Sequence, residues 1–286
     1  MIKLTPYSKS SLEFLNDVLN SKKDRGYKDR VERIKPELIP CYTRYDQLFS
    51  NKDLNSIVTP HGFNEIDSND LLKLYKYSLK AFINLKNAIL TLPDERSIDT
   101  CQYCTLNTVN TLDHIIPKDD FPEYSIHPKN LFPVCSQCNS KKQKKWLDSS
   151  NDYNFLNLYY HDLPQEQYLF ANVDFSNGNF KVEFFLRNDN RINQTLFGVI
   201  ERHYENLGLL ERFKLKSNEI ISSFETTIIN NIDCFEVDLN RALSVALRKV
   251  NMDKAIFGYN HWELILTLEL INGNAFREYC NTKGYN

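Results

Sequence analysis

The sequence predicts a mostly helical α+β protein, and three observations carry that prediction. Two C-x₂-C pairs, Cys101/Cys104 and Cys135/Cys138, frame a stretch that reads strand, loop, strand, helix. Apolar residues recur at helical spacing on both sides of that stretch. Two alternating runs joined at Asn177-Gly178 read as a β-hairpin following the framed unit. The expected organisation is a helical N-terminal region over 1–95, a central ββα module over 96–150, and a β-hairpin plus helical C-terminal region over 151–286.

Within the first region, Leu71, Leu72, Tyr75, Leu79, Phe82, Ile83, Leu85, Ile89 and Leu90 follow one helical face after an Asp67-Ser68-Asn69 start signal, and Pro93 stops the helix. The charged run from Lys22 to Lys35 reads as a solvated helix face. In the module, Val109 to Ile116 reads as a short strand closed by Pro117, and Leu131 to Val134 as its returning partner. After Cys138 nothing breaks a helix before Asp148. Beyond the module, Tyr168 to Phe175 and Phe180 to Leu186 are the hairpin strands. Helices are expected from Arg191 into Leu209–Ile229, over 236–250 and over 259–271.

A chain of 286 residues with 42% hydrophobic and 25% charged residues is long enough for a substantial core and ordinary for a globular protein. No run approaches the ~18 apolar residues of a membrane span. The first residues, MIKLTPYSKSS, lack the apolar core of a secretion signal, so the expected location is cytoplasmic. In a reducing compartment Cys41, Cys234 and Cys280 read as small buried hydrophobes. The other four cysteines have the spacing of a closed tetrahedral zinc site. Net charge is −2, so any nucleic-acid field must be local. Lys141, Lys142, Lys144 and Lys145, directly after the last cysteine, supply one, and Lys118 could add to it.

The residues between the cysteines carry different chemistry. Phosphodiester hydrolysis needs an activated water, a cation on the phosphate and stabilisation of the departing oxygen. His114 suits proton abstraction, since an unperturbed imidazole titrates at about 6.5. Asp113 and the side-chain oxygen of Asn139 are hard ligands suited to Mg²⁺ or Mn²⁺, leaving coordination positions open. Neighbouring residues on a regular strand point to opposite faces, so Asp113 and His114 serve one phosphate only if the strand ends or bends there. A ββα unit of about 40 residues is too small to hold such geometry by burial alone. The zinc is therefore expected to be structural, and the catalytic cation a different one.

The segment 101–146 resembles the HNH family of ββα-metal nucleases in its Cys₄, endonuclease VII-like form. The matching residues are CQYC at 101–104, LDHIIPK at 112–118, the PxNLxPxCxxCN run from Pro128 to Asn139, and Lys142. The resemblance implies that Asn130, at the family's middle Asn position, hydrogen-bonds across the loop and orients His114. It also implies that the helix after Asn139 turns its N-terminal amides toward phosphate. The longer phrase LDHIIPKDDFPEYSIHPKNLFPVCSQCN is similar to bacterial HNH proteins of anti-phage defence operons, in which YYHDLPQEQYLF at 159–170 has a counterpart. That resemblance covers roughly 100–186 and implies an ATPase partner subunit.

Two readings from different classes follow. One is a metal-dependent endonuclease cutting nucleic acid, DNA before RNA. The other is a non-catalytic zinc-ribbon module that holds a basic helix against nucleic acid. The cysteines alone favour the second reading. Asp113-His114, Asn130, Asn139 and Lys142, all in place, favour the first.

Overall fold

A computed structural model describes residues 1–92, 94–189 and 191–285. It is mostly helical α+β, with a β-hairpin plus helix and a four-cysteine cluster at 101–145 and a further hairpin at 169–186. The chain forms two compact units, Lys3–Asp162 and Met1–Ile2 with Leu163–Asn286. Among the described residues no helix is long and apolar enough to cross a membrane.

In the unit Lys3–Asp162, α1 (Ser11–Ser21) starts at a capping box: the Glu13 amide donates to Ser10 Oγ and the Ser10 amide to the Glu13 carboxylate. Its buried face is Phe14, Leu15, Val18 and Leu19. The long α2 (Arg25–Ser50) contains Pro36 and Pro40, both exposed and one turn apart, so the missing N–H groups fall on the side away from the core. Its buried face presents Tyr27, Val31, Ile34, Leu38, Tyr42 and Tyr45.

The single helix expected over 71–90 is two. α3 (Glu65–Leu72) starts earlier, on an Asn64 side chain that accepts from the Asp67 amide, and α4 (Lys80–Leu90) follows a non-helical stretch. Periodicity cannot separate one helix from two on the same face. The break lets Tyr75 turn away and donate its hydroxyl to the Leu112 carbonyl, 3.2 Å away. Pro93, read as a helix stop, lies outside the described residues.

The central hairpin pairs β1 (Thr111–His114) with β2 (Leu131–Val134), antiparallel, in the register Asp113↔Phe132 and His114↔Leu131. α5 (Ser136–Lys142) follows. The helix expected to run on toward Asp148 ends here, because Gln143 takes a positive φ of 49°. The chain then leaves the helix and buries Trp146 edge-on against Phe121. Residues 151–162 pack on the hairpin: Tyr159 donates to the Leu131 carbonyl at 2.5 Å and meets Phe132 edge to face.

In the other unit, β3 (Leu169–Ser176) and β4 (Asn179–Leu186) pair throughout, from Leu169↔Leu186 to Ser176↔Asn179. Asn177 and Gly178 both have positive φ, 53° and 76°, as the expected two-residue turn requires. The inner face, Ala171, Val173, Val182 and Phe184, is buried. The helices are α6 (Gln194–Leu207), α7 (Leu209–Phe235), α8 (Leu239–Phe257), α9 (Trp262–Asn272) and α10 (Ala275–Lys283). The hairpin rests on α7 and α9, where Phe213 stacks on Trp262. α10 was not expected. Of the three outlying cysteines Cys41 and Cys280 are buried, but Cys234 is exposed near the end of α7.

Candidate active site

The four thiols of Cys101, Cys104, Cys135 and Cys138 are buried, with sulfur atoms all within 4.8 Å of one another. Cys104 and Cys135 are 3.9 Å apart, close to the tetrahedral edge of about 3.8 Å that Zn–S bonds of ~2.3 Å generate. The donor set is all sulfur, the chemistry of a closed structural site. Polar hydrogens already point at it: the Asn107 side chain donates to Cys135 Sγ at 3.7 Å, and the Cys138 amide donates to the same sulfur at 3.4 Å. Cys135 is thus both a thiol of the cluster and the N-cap of α5. The remaining head of that helix is also engaged, with the Ser136 amide donating to Asn110 Oδ1 at 2.7 Å. The helix expected after Asn139 begins three residues before it, at Ser136, and the Ser136 and Cys138 amides are engaged within the protein.

β1 ends at His114, its last residue paired with β2, and Asp113 and His114 leave it on different faces. On one face the Asp113 carboxylate lies 3.2 Å from Lys142 Nζ and 3.5 Å from the Tyr103 hydroxyl. Lys142 also donates to the His114 carbonyl at 2.7 Å and lies over the Phe155 ring. Both members of the ion pair are buried, with side chains 3% and 2% exposed. Burial raises the Asp113 carboxyl above its usual range, against the lowering pull of Lys142. Lys142 is therefore not one of a solvated row of lysines.

On the other face the His114 ring is nearly buried, and its Nε2 lies 2.8 Å from the Ser125 carbonyl. A carbonyl only accepts, so Nε2 carries the proton and Nδ1 is left as the acceptor. Among the described residues Nδ1 has no hydrogen-bond partner. The near-neutral titration expected of this ring is not found: burial first, and then the charges of Lys118 and Lys142, lower it to about 3, against the raising effect of the Ser125 bond.

Asn130 is fully buried and spans the loop between the strands. It donates to the carbonyls of Ile116 and Tyr124, each at 3.0 Å, and accepts from the Ile116 amide at 2.7 Å. Tyr45 of α2 adds a fourth bond to its Oδ1. The loop is thereby closed next to Ser125, the acceptor for His114. Asn139, in the middle of α5, is half-buried, and its carboxamide has no hydrogen bond among the described residues. The structure joins Asp113 to Lys142 and Tyr103, and the His114 ring to Ser125, with Lys142 bonded to the His114 carbonyl as the link between the two groups.

Of the other lysines, Lys118 pairs with Asp119 and Lys144 with Asp120, while Lys141 and Lys145 are exposed and make no ion pair among the described residues. Tyr45, Tyr75, Tyr103 and Ser125 were not anticipated. Tyr103 alone left a trace, as the aromatic inside CQYC. The Ser125 contribution is a main-chain carbonyl, which residue type does not encode.

Residues 101–145 match the family model described as HNH endonuclease. Among curated proteins and solved structures, none matches the chain. The buried sulfur cluster, the strand pair ending in Asp113-His114, the loop tied by Asn130 and the helix bearing Asn139 all fall within the matched span. Residues 101–145 are accordingly an HNH endonuclease domain with a four-cysteine, zinc-binding-like cluster.

Proposed function

We propose that this domain hydrolyses phosphodiester bonds of nucleic acid, DNA before RNA, leaving 5′-phosphate and 3′-hydroxyl ends. The observation that carries the reading is the tautomer of His114. A proton fixed on Nε2 by the Ser125 carbonyl leaves Nδ1 as the basic nitrogen of the ring, the one that can take a proton from water. The approach of an anionic phosphate raises the basicity of a buried imidazole, opposing the desolvation that depresses it in the free protein.

Asp113 and Asn139 carry the hard oxygen donors that would hold Mg²⁺ or Mn²⁺, an ion that would polarise the scissile phosphate and stabilise the leaving oxygen. The donor set fits such an ion. One group is a carboxylate the protein already pairs with a cation, and the other is a carboxamide without a hydrogen-bond partner among the described residues. Lys142 has to share Asp113 or release it for that role. Lys141 and Lys145, with Lys118 and Lys144 behind their acidic partners, provide the local attraction for the phosphate backbone. Zinc in the four-cysteine cluster would hold β2 and α5, and so Asn139, in place.

The experiment is cleavage of plasmid, single-stranded DNA and RNA by the zinc-loaded chain with Mg²⁺ or Mn²⁺. His114→Ala is expected to lower the rate by about 10²–10⁴-fold with zinc content and folding intact. Undiminished cleavage by that variant defeats the mechanism. Resemblance to proteins of anti-phage operons supports a defence role with an ATPase partner. That role requires wild-type protein, but not His114→Ala, to reduce phage plating in cells expressing it together with its neighbouring genes.

A further inference from the structure

Two contacts reach the His114 ring and its hydrogen-bond acceptor from outside the HNH domain, and both come from residues 71–75, where the helical pattern breaks between α3 and α4. The Tyr75 ring meets the imidazole edge to face, with centroids 4.6 Å apart and planes at 71°. Its hydroxyl is tied to the Leu112 carbonyl, two residues before His114. Behind it stands a relay of edge contacts, Tyr75 on Phe82 of α4 and Phe82 on Phe14 of α1, both phenylalanines fully buried. The second contact is to Ser125, which is buried and donates its hydroxyl to the Leu71 carbonyl at 2.8 Å, while its own carbonyl receives His114 Nε2 at 2.8 Å.

We propose that Tyr75 and the Ser125–Leu71 bond together are the positioning device for His114, so that the helical N-terminal region completes the active site of the HNH domain. A hydrogen bond at one ring nitrogen leaves an imidazole free to tilt about that bond. A second contact on the ring, from a side chain itself fixed at its far end, removes the tilt and aims Nδ1. An edge-to-face pair attracts beyond the area it buries and so biases a ring between two orientations. Tyr75 is a positioning residue and touches no reacting atom. The inference rests on the nuclease reading for its kinetic consequence, but the ring's orientation and tautomer can be measured without turnover.

The test uses the full zinc-loaded chain with Tyr75→Phe, Tyr75→Leu and Ser125→Ala. Steady-state cleavage of an oligonucleotide is measured beside two-bond proton–nitrogen correlation spectra of the ¹⁵N-labelled imidazoles. Tyr75→Phe keeps the ring and its Phe82 contact but loses the far-end tie, and its kcat is expected to fall between those of wild type and Tyr75→Leu. Tyr75→Leu is expected to lower kcat by about 10- to 100-fold, the scale of a misplaced catalytic group, with KM unchanged. In that variant the His114 signals should move from a fixed Nε2–H tautomer toward the averaged positions of both tautomers. Ser125→Ala should move both readouts the same way, and it keeps the test decisive if Tyr75→Leu does not fold. A folded Tyr75→Leu or Ser125→Ala protein with wild-type kcat and an undisturbed tautomer overturns the proposal. If the wild-type chain cleaves nothing, the nuclease reading falls, and the spectra alone still decide whether Tyr75 and Ser125 fix the ring.

Discussion

Lys142 and Asp113 illustrate how much a single buried contact changes the meaning of a residue. Four lysines within five positions look alike in sequence, and only the structure separates the one that turns inward. Its ammonium is shared between a carboxylate and a carbonyl, with neither charge reaching solvent. Removing one partner of such a pair leaves an uncompensated charge, at a cost of about 3–5 kcal/mol. Lys142→Met is therefore expected to lose that much stability in urea unfolding of the zinc-loaded chain. Adding Asp113→Asn to it should cost less than the sum of the two single changes. A loss below about 1 kcal/mol would mean the pair behaves as an exposed one. What the sequence showed at this scale was residue type at family positions: the four thiols, Asp113, His114, Asn130 and Asn139. It could not show Ser125, whose part is played by a carbonyl, nor the phenols of Tyr45, Tyr75 and Tyr103, which resemble any core tyrosine.

Elements were readable where local chemistry dictates them and obscure where distant packing does. The Asn177-Gly178 turn requires two positive φ angles, and those residue types announce it. The break between α3 and α4 leaves no such mark, since Tyr75 exits the helix for a carbonyl 37 residues away. The early end of α5 is equally silent, because it depends on burying Trp146 against Phe121. In the segment 151–162 only residues from 159 on were legible, as part of the family counterpart at 159–170, and its own hydrogen bonding yields a pH prediction. His161 Nδ1 accepts from the Asn157 amide at 2.9 Å, which requires the neutral ring, and burial lowers its titration to about 4. The unfolded chain's histidine titrates near 6.5. The stabilising effect is therefore complete above about pH 6.5 and is lost as pH falls from there through 4. Thermal midpoints should drop across that window, and the drop should be smaller in His161→Gln. An identical pH profile in the variant would show that His161 contributes nothing to that drop.

At the scale of the whole molecule, the centre was legible and its surroundings were not. Two C-x₂-C pairs locate the domain, but nothing in sequence shows that α2 sends Tyr45 to Asn130, 85 residues away. Residue types in the helical region 1–95 do not tie it to the site, yet its Tyr45 and Leu71 bond to the loop on which His114 depends. Zinc in a four-cysteine site contributes on the order of 10 kcal/mol or more of apparent binding energy coupled to folding. Chelation is expected to release one zinc per chain, abolish cleavage and remove hydrogen-exchange protection across 101–146. Cys135→Ser should do the same without chelator. A folded, active, zinc-free protein would refute the stapling role.

The Cys135 sulfur gives that expectation a sharper edge. It receives the Cys138 amide at the head of α5, so the turn that bears Asn139 borrows its anchor from the cluster. Once the ion departs, the reprotonated thiol is a feeble acceptor, and the turn frays in the same event. Such a protein behaves as a fuse and not a dimmer: zinc starvation would yield inert chains alongside fully competent ones, with no sluggish population between them.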